Sequence, residues 1–338
     1  MQIEQAMAMP DDHSNVLSRR RALLTMAMGV TLPGWAQTPP WPNRPIKMII
    51  PSAAGQGSDL FGRLIGNGLS RALGQPVVID NKVGASGILG TDAAAKSPGD
   101  GYTLLFSNAS FTVMLQALGQ KTPYDLQRDL IPVVQIGSGG VYLVCSHDFP
   151  AEDLPQLIAL LKKQPGKFQY GSFGNGSSGH LLMEALKASA GISIDHVPYK
   201  SSMQLAQDLQ GGSISLGWLD VSSSLPLIRA GRLRALAVSG NTRMPGTPQL
   251  RTMREQGYPV GTDGWYGLFV PAGTPQAIVN RLNSEVNRIL ASPELQERLL
   301  AMNVANAPIK SAEAFATTMN EDLRIWQGIV RANNIRLD

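Results

Sequence analysis

Short apolar, β-branched runs alternate with stretches of helical periodicity along most of this 338-residue chain. Residues 46–51 predict a strand. Residues 59–73 predict a helix with Leu60, Leu64, Ile65 and Leu69 on one face. A strand at 77–79, a helix over 86–96 and a strand over 102–106 follow. Beyond Pro132 come strands near 133–136 and 142–145, a helix over 154–163 and a strand over 167–170. A helix over 181–190 follows, then strands near 196–197, 213–218 and 234–239, with helices between them near 203–209 and 225–230. The last third predicts a strand near 267–270 and helices over 275–290, 293–302 and 312–332. Such alternation argues for an α/β fold of mostly parallel sheets flanked by helices. No repeat of fixed period and no low-complexity tract interrupts it.

The start of the chain breaks the pattern. Ser18-Arg19-Arg20-Arg21 precedes an uncharged run over 22–36 that ends in Gly34-Trp35-Ala36. A basic segment, a short apolar segment and a small-residue exit make a cleavable export signal. The apolar run is shorter than the roughly 20 residues a spanning helix needs. The paired arginines fit the twin-arginine variant. We expect residues 1–36 to be removed and the remainder to work in the periplasm as a soluble protein. Residues 1–36 hold three arginines and three acids, so the formal charge of +4 is unchanged by their loss.

That charge is mild and scattered. Lys162-Lys163 and Arg229, Arg232 and Arg234 read as solvated faces, and no nucleic-acid partner is expected. Cys145 is the only cysteine, so no internal disulfide is available. It lies in the apolar run 141–145 and reads as a small buried hydrophobe.

In open α/β sheets, ligands sit beyond the carboxyl ends of the strands. Four predicted strand exits have unusually spare side chains: 51–59, with Ser58 placed to cap the next helix, 107–110, 171–179 and 220–224. The third is the most informative. Tyr170-Gly171-Ser172-Phe173-Gly174-Asn175-Gly176-Ser177-Ser178-Gly179-His180 leads from a strand into a helix. Its bare backbone exposes amides at a helix N-terminus, where unpaired N–H groups and the helix dipole favour an anion.

Other chemistries fit less well. Gly174-Asn175-Gly176-Ser177-Ser178-Gly179 matches a dinucleotide fingerprint, with Asp195 where a ribose-binding acid would stand. Its mid-chain position and the expected export argue against it. No Walker loop occurs, and a nucleophile elbow fails because Asn175 stands two residues before Ser177. His147, His180 and His196 lack metal-ligand spacing, and no carboxylate pair stands out as acid and base. No cofactor, no metal and no catalytic residue is expected. An exported enzyme using the same loops is the rival reading.

Ordered motifs along the chain resemble one family. They are Arg44-Pro45-Ile46-Lys47, then residues 55–59, Leu73-Gly74-Gln75-Pro76-Val77-Val78 with Asn81, then Gly84, Gly87 and Gly90. Asp100-Gly101-Tyr102-Thr103-Leu104, Tyr170-Gly171-Ser172 and Gly174-Asn175-Gly176-Ser177 follow. Next come Gly179-His180, His196-Val197-Pro198-Tyr199-Lys200, residues 230–238, and Val270-Pro271-Ala272-Gly273-Thr274-Pro275. This series resembles the solute-binding proteins of tripartite tricarboxylate transporters, the Bug family.

The resemblance implies a type II periplasmic binding protein of Venus-flytrap form, a monomer closing on a small carboxylate. Di- or tricarboxylates, acidic amino acids and aromatic carboxylates are the family's ligands, passed to a two-component membrane permease. A role reporting to a sensor kinase is the alternative within this reading. One lobe would comprise 37–138 with 241–338 and the other 139–240, hinged near 136–140 and 239–242. The resemblance places Ser52, Ala54, Gly55, Gln56, Gly57, Ser58, Asn108, Ala109 and Ser110 at the ligand from the first lobe. Gly174, Asn175, Ser177, Ser178 and Asp220 would meet it from the second. Backbone amides and hydroxyls, not arginine, would grip the carboxylate, with Asp220 facing a donor group. The family usually has a bulky residue at Ser52, proline at Ala54, and glycine at Gln56 and Ser201. Here Ser52 opens space and Gln56 adds an amide.

Overall fold

The computed structural model describes residues 40–305, 310–333 and 335. The expected export signal and its cleavage site lie outside the described residues. The chain first lays down β1 (Ile46–Ile50), β2 (Val77–Asn81), β3 (Thr103–Asn108) and β4 (Leu130–Gly139). It then crosses at Gly140 and builds β5 (Val141–Ser146), β6 (Gln169–Ser172), β7 (Asp195–Pro198), β8 (Leu216–Asp220) and β9 (Leu233–Val238). Finally it returns as β10 (Gly264–Pro271), which inserts between β3 and β4. The two five-stranded sheets have orders β2-β1-β3-β10-β4 and β7-β6-β8-β5-β9. In each, four strands run in one direction and the remaining one, β10 or β5, runs antiparallel to both its neighbours. The sheets are therefore mixed, and two-lobed α/β architecture is the outcome.

The central strands read as unbroken apolar runs because both faces are covered. Ile46, Met48, Ile49 and Ile50 are buried in β1, as are Tyr142, Leu143, Val144 and Cys145 in β5. Burial pushes the Cys145 thiol up to about 12, so it is an inert core group. The Gly57–Leu73 helix lies close against β1: a Cβ on Gly62 would stand 2.3 Å from Ile50. Because the helix follows β1 after a short turn, its N-terminus lies at the carboxyl edge of the sheet. One apolar cluster joins both sheets, with Ile49 and Leu105 from one and Leu143, Tyr170 and Trp218 from the other. Trp265, Phe315, Met319 and Trp326 complete it along the Ala312–Ala332 helix.

Two local expectations are corrected. Ser58 does not cap its helix. The helix begins at Gly57 with Gln56 as N-cap, and no side chain supplies a capping bond. Nor is 220–224 a loop. Helix Val221–Arg229 starts directly after β8, and the Ser224 hydroxyl donates to the Asp220 carbonyl within it at 2.6 Å.

Candidate functional site

A cavity of about 470 Å³ opens between the carboxyl ends of β1 and β3 on one side and of β6 and β8 on the other. Ser52, Gln56, Gly57, Ser58, Asn108, Ala109 and Ser110 line it from the first sheet. Gly174, Ser178 and Asp220 line it from the second. Ala54, Gly55, Asn175 and Ser177, also expected at the ligand, are not among the lining residues. Each of the last three has another engagement. The Gly55 amide donates to Asp59, and the Asn175 carbonyl accepts from Ser86. The Ser177 hydroxyl donates to Ser172 and accepts from the His180 amide, capping its helix.

Asp59 shapes the first wall. Its carboxylate is buried and accepts from the Gly55 amide at 2.8 Å, Arg63 Nε at 2.9 Å and Asn81 Nδ2 at 3.0 Å. Asn81 Nδ2 also reaches the Ser52 carbonyl at 2.9 Å, so both ends of the 52–59 turn are tied to one acid. Burial alone would push this carboxyl up, but Arg63, the Gly55 amide and Asn81 outweigh it and hold the acid below its ordinary range. Asn108 accepts from the Phe111 amide at 3.1 Å and donates to Ser58 Oγ at 3.2 Å, which fixes the second loop against the first helix.

The second wall rests on a histidine stack. His180 and His196 lie 4.3 Å apart at 12°, and His196 also stacks on Tyr170 at 4.9 Å. His180 Nδ1 accepts from the Gly176 amide at 3.1 Å, and Ser172 Oγ meets His196 Nε2 at 2.7 Å and Gly174 O at 3.1 Å. The bonds around Ser172 are mutually consistent if His196 carries its proton on Nε2: the ring donates to Ser172, and Ser172 donates to Gly174. Burial, with His180 and Lys187 nearby, pulls His196 down to about 3, so this ring stays neutral. Ser172 is buried and outside the cavity lining, so the pair supports the loop from within. Between them Gly174 and Gly176, at φ of 119° and 74°, make the turn that presents the Ser178 amide.

Several lining groups were not read from the sequence. Phe111, Met114, Phe173, Tyr199, Trp265 and Tyr266 give the cavity substantial apolar wall. Tyr199 and Lys200 stand in a motif quoted above for resemblance alone, and Lys200 adds a cation where only neutral donors were expected. Trp265 and Tyr266 open β10 and carry no local loop signal. Burial, with Asp220 nearby, pushes the Tyr266 phenol up, so it faces the cavity as a neutral hydroxyl. Among the described residues, no group of three or more His, Cys, Asp or Glu could hold a metal ion.

The model of the family described as "Tripartite tricarboxylate transporter family receptor" matches residues 61–335. Protein BugT of Bordetella pertussis is 35% identical over 91% of this chain and 94% of its own length. Rpa4515 of R. palustris, solved with adipate, aligns with a TM-score of 0.81 at 30% identity, covering 88% of this chain and 99% of that one. MatC from Rhodopseudomonas palustris, solved with bound malate, gives a TM-score of 0.80 at 27% identity, covering 86% of this chain and 100% of that one.

Proposed function

The chain belongs to the tripartite tricarboxylate transporter receptor family, and on that basis we propose that it is a periplasmic receptor for a small carboxylate with an apolar, ring- or chain-sized body. It hands this cargo to a two-component membrane permease. The lobes are 37–138 with 241–338, and 139–240. They move about the paired segments where Val141 and Ser239 exchange bonds of 2.9 and 3.0 Å. The carboxylate sits between the facing N-termini of helices Gly57–Leu73 and Ser178–Ala190. Fixed amides and hydroxyls hold an anion strongly there without a buried cation.

One observation carries this reading. Ser52 lines the cavity, is only 3% exposed, and its hydroxyl has no hydrogen-bond partner among the described residues. An unsatisfied buried hydroxyl costs about 1–3 kcal/mol, a cost that a ligand oxygen would remove. The aromatic wall favours an aryl or medium-chain carboxylate over a fully polar one such as citrate. The adipate and malate held by the two solved relatives support the carboxylate class.

A thermal-shift panel of adipate, malate, citrate, glutamate and benzoate, each beside its amide analogue, tests the proposal. A carboxylate at 100 times its dissociation constant is expected to add about 2.7 kcal/mol of stability, with no such gain from the neutral analogue. The same samples are expected to return the ligand chemically unchanged by mass spectrometry. Equal stabilisation by acid and amide, or consumption of the ligand, would overturn it.

A further inference from the structure

Gly84, Gly87 and Gly90 belong to the motif series, yet the carboxylate grip leaves this segment without a role. Residues 83–87 all line the cavity. Ala85 and Ser86 stand consecutively in the left-handed region, at φ of 46° and 51°, with Gly84 and Gly87 also at positive φ. Side chains with a Cβ are disfavoured there, and two in succession persist only where their surroundings impose the turn. Gly87 supplies one such restraint: a Cβ on it would come within 2.6 Å of the Phe111 ring, so the segment is pressed onto its own wall.

The other restraint lies across the cavity. Ser86 Oγ donates to the Asn175 carbonyl at 3.1 Å, joining the turn after β2 to the loop that precedes helix Ser178–Ala190. A second bond between the walls, Ser178 N to Ser110 Oγ, is longer at 3.4 Å. Ala85 is exposed, so no packing of its own side chain explains its conformation.

We propose that residues 84–87 form a clasp that holds the two lobes shut. Their left-handed turn is adopted when Ser86 engages Asn175 and relaxes when the cleft opens. This rests on the receptor reading above, because it needs lobes that part. The strain acts against the bond. A clasp built this way closes the cleft weakly and lets cargo go, as a protein that must hand its cargo on requires.

The test uses the full chain with no ligand added, so it is independent of which carboxylate binds. Spin labels at Val78→Cys and Met203→Cys, both exposed and on opposite sheets' sides, report the distance between lobes. Cys145 is buried and out of reach of the label. Ser86→Ala keeps the strain and removes the bond. Ala85→Gly keeps the bond and relieves the strain at one of the two positions, because glycine takes positive φ freely. The expected result is a pair of opposite shifts, each roughly three- to five-fold in the ratio of short to long distances. Ser86→Ala lowers that ratio and Ala85→Gly raises it. Any other pattern overturns the clasp, including a distribution that both variants leave unchanged while Ala85→Gly raises Tm. Failure of the carboxylate reading would appear separately, in the thermal-shift panel.

Discussion

Replacing Asp59 with alanine is expected to lower stability by about 3 kcal/mol and Tm by roughly 5–10 °C, and to weaken carboxylate binding more than ten-fold. The acid is 2% exposed and is the common acceptor for Gly55, Arg63 and Asn81. Hydrogen bonds to a charged acceptor are worth about 1.5–3 kcal/mol each, and only part of that returns when water takes the carboxylate's place. The binding loss has a separate cause. Asn81 ties Asp59 to the Ser52 carbonyl, so the variant frees both ends of the turn that presents Ser52 and Gly57. Arg63→Ala should be much milder, since that side chain is 46% exposed and water can replace it.

The pH dependence has a definite sign. The folded acid lies below its unfolded value, so its contribution is present above about pH 4 and is lost as pH falls through the folded value. The stability gap between wild type and Asp59→Ala should therefore shrink on acidification. Urea melts at pH 7 and pH 3 check this, and a gap that widens in acid would contradict it.

Asp322 is expected to give a comparably large effect of opposite sign. It is buried and accepts at 2.7 Å from Nε1 of Trp265, which lines the cavity. Burial pushes this carboxyl up to about 6. Its bonds to Trp265 and Thr262 offset that in part, and Asp263 and Glu321 add to it. Below pH 4 the acid is protonated in both states and costs nothing. Between pH 4 and 6 the unfolded chain gives up the proton while the folded one keeps it, so stability falls as pH rises. Above pH 6 the full cost applies, about 3 kcal/mol for a shift of that size. Asp322→Asn retains an acceptor for Trp265 without a charge to desolvate. Its stability relative to wild type should therefore climb from pH 4 to pH 7 by about 2–3 kcal/mol. A difference independent of pH would show that Asp322 is not the titrating group.

Local signals carried much of the fold into the sequence. Helices Leu154–Lys163 and Ala312–Ala332 fall where periodicity puts them, because each couples an apolar stripe to a capping residue, Asp153 or Ser311. The antiparallel courses of β5 and β10 were not legible. They follow from the chain crossing to a second sheet and returning, which no window of neighbouring residues records. Serine misled twice. Ser58 and the serines after Asp220 suggested a cap and a loop, yet both positions lie inside helices.

The cavity repeats this division. Bare strand exits marked Ser52, Gln56, Asn108, Gly174 and Ser178, since a backbone left open is visible one residue at a time. Ser177 has the expected residue type but turns inward to Ser172. Phe111, Phe173 and Trp265 were indistinguishable from core aromatics until the sheets faced each other. The His180–His196 stack beneath the loop joins a helix to a strand, and sequence spacing gave no warning of it.

The position of the anion decides whether this protein is a receptor of the kind proposed. The decisive measurement is a crystal structure of the protein with whichever panel carboxylate stabilises it. Carboxylate oxygens are expected within about 3 Å of the Ser52 hydroxyl and of amides at the start of the Gly57–Leu73 and Ser178–Ala190 helices. A carboxylate paired with Lys200 at the cavity wall, away from both helix starts, would contradict it.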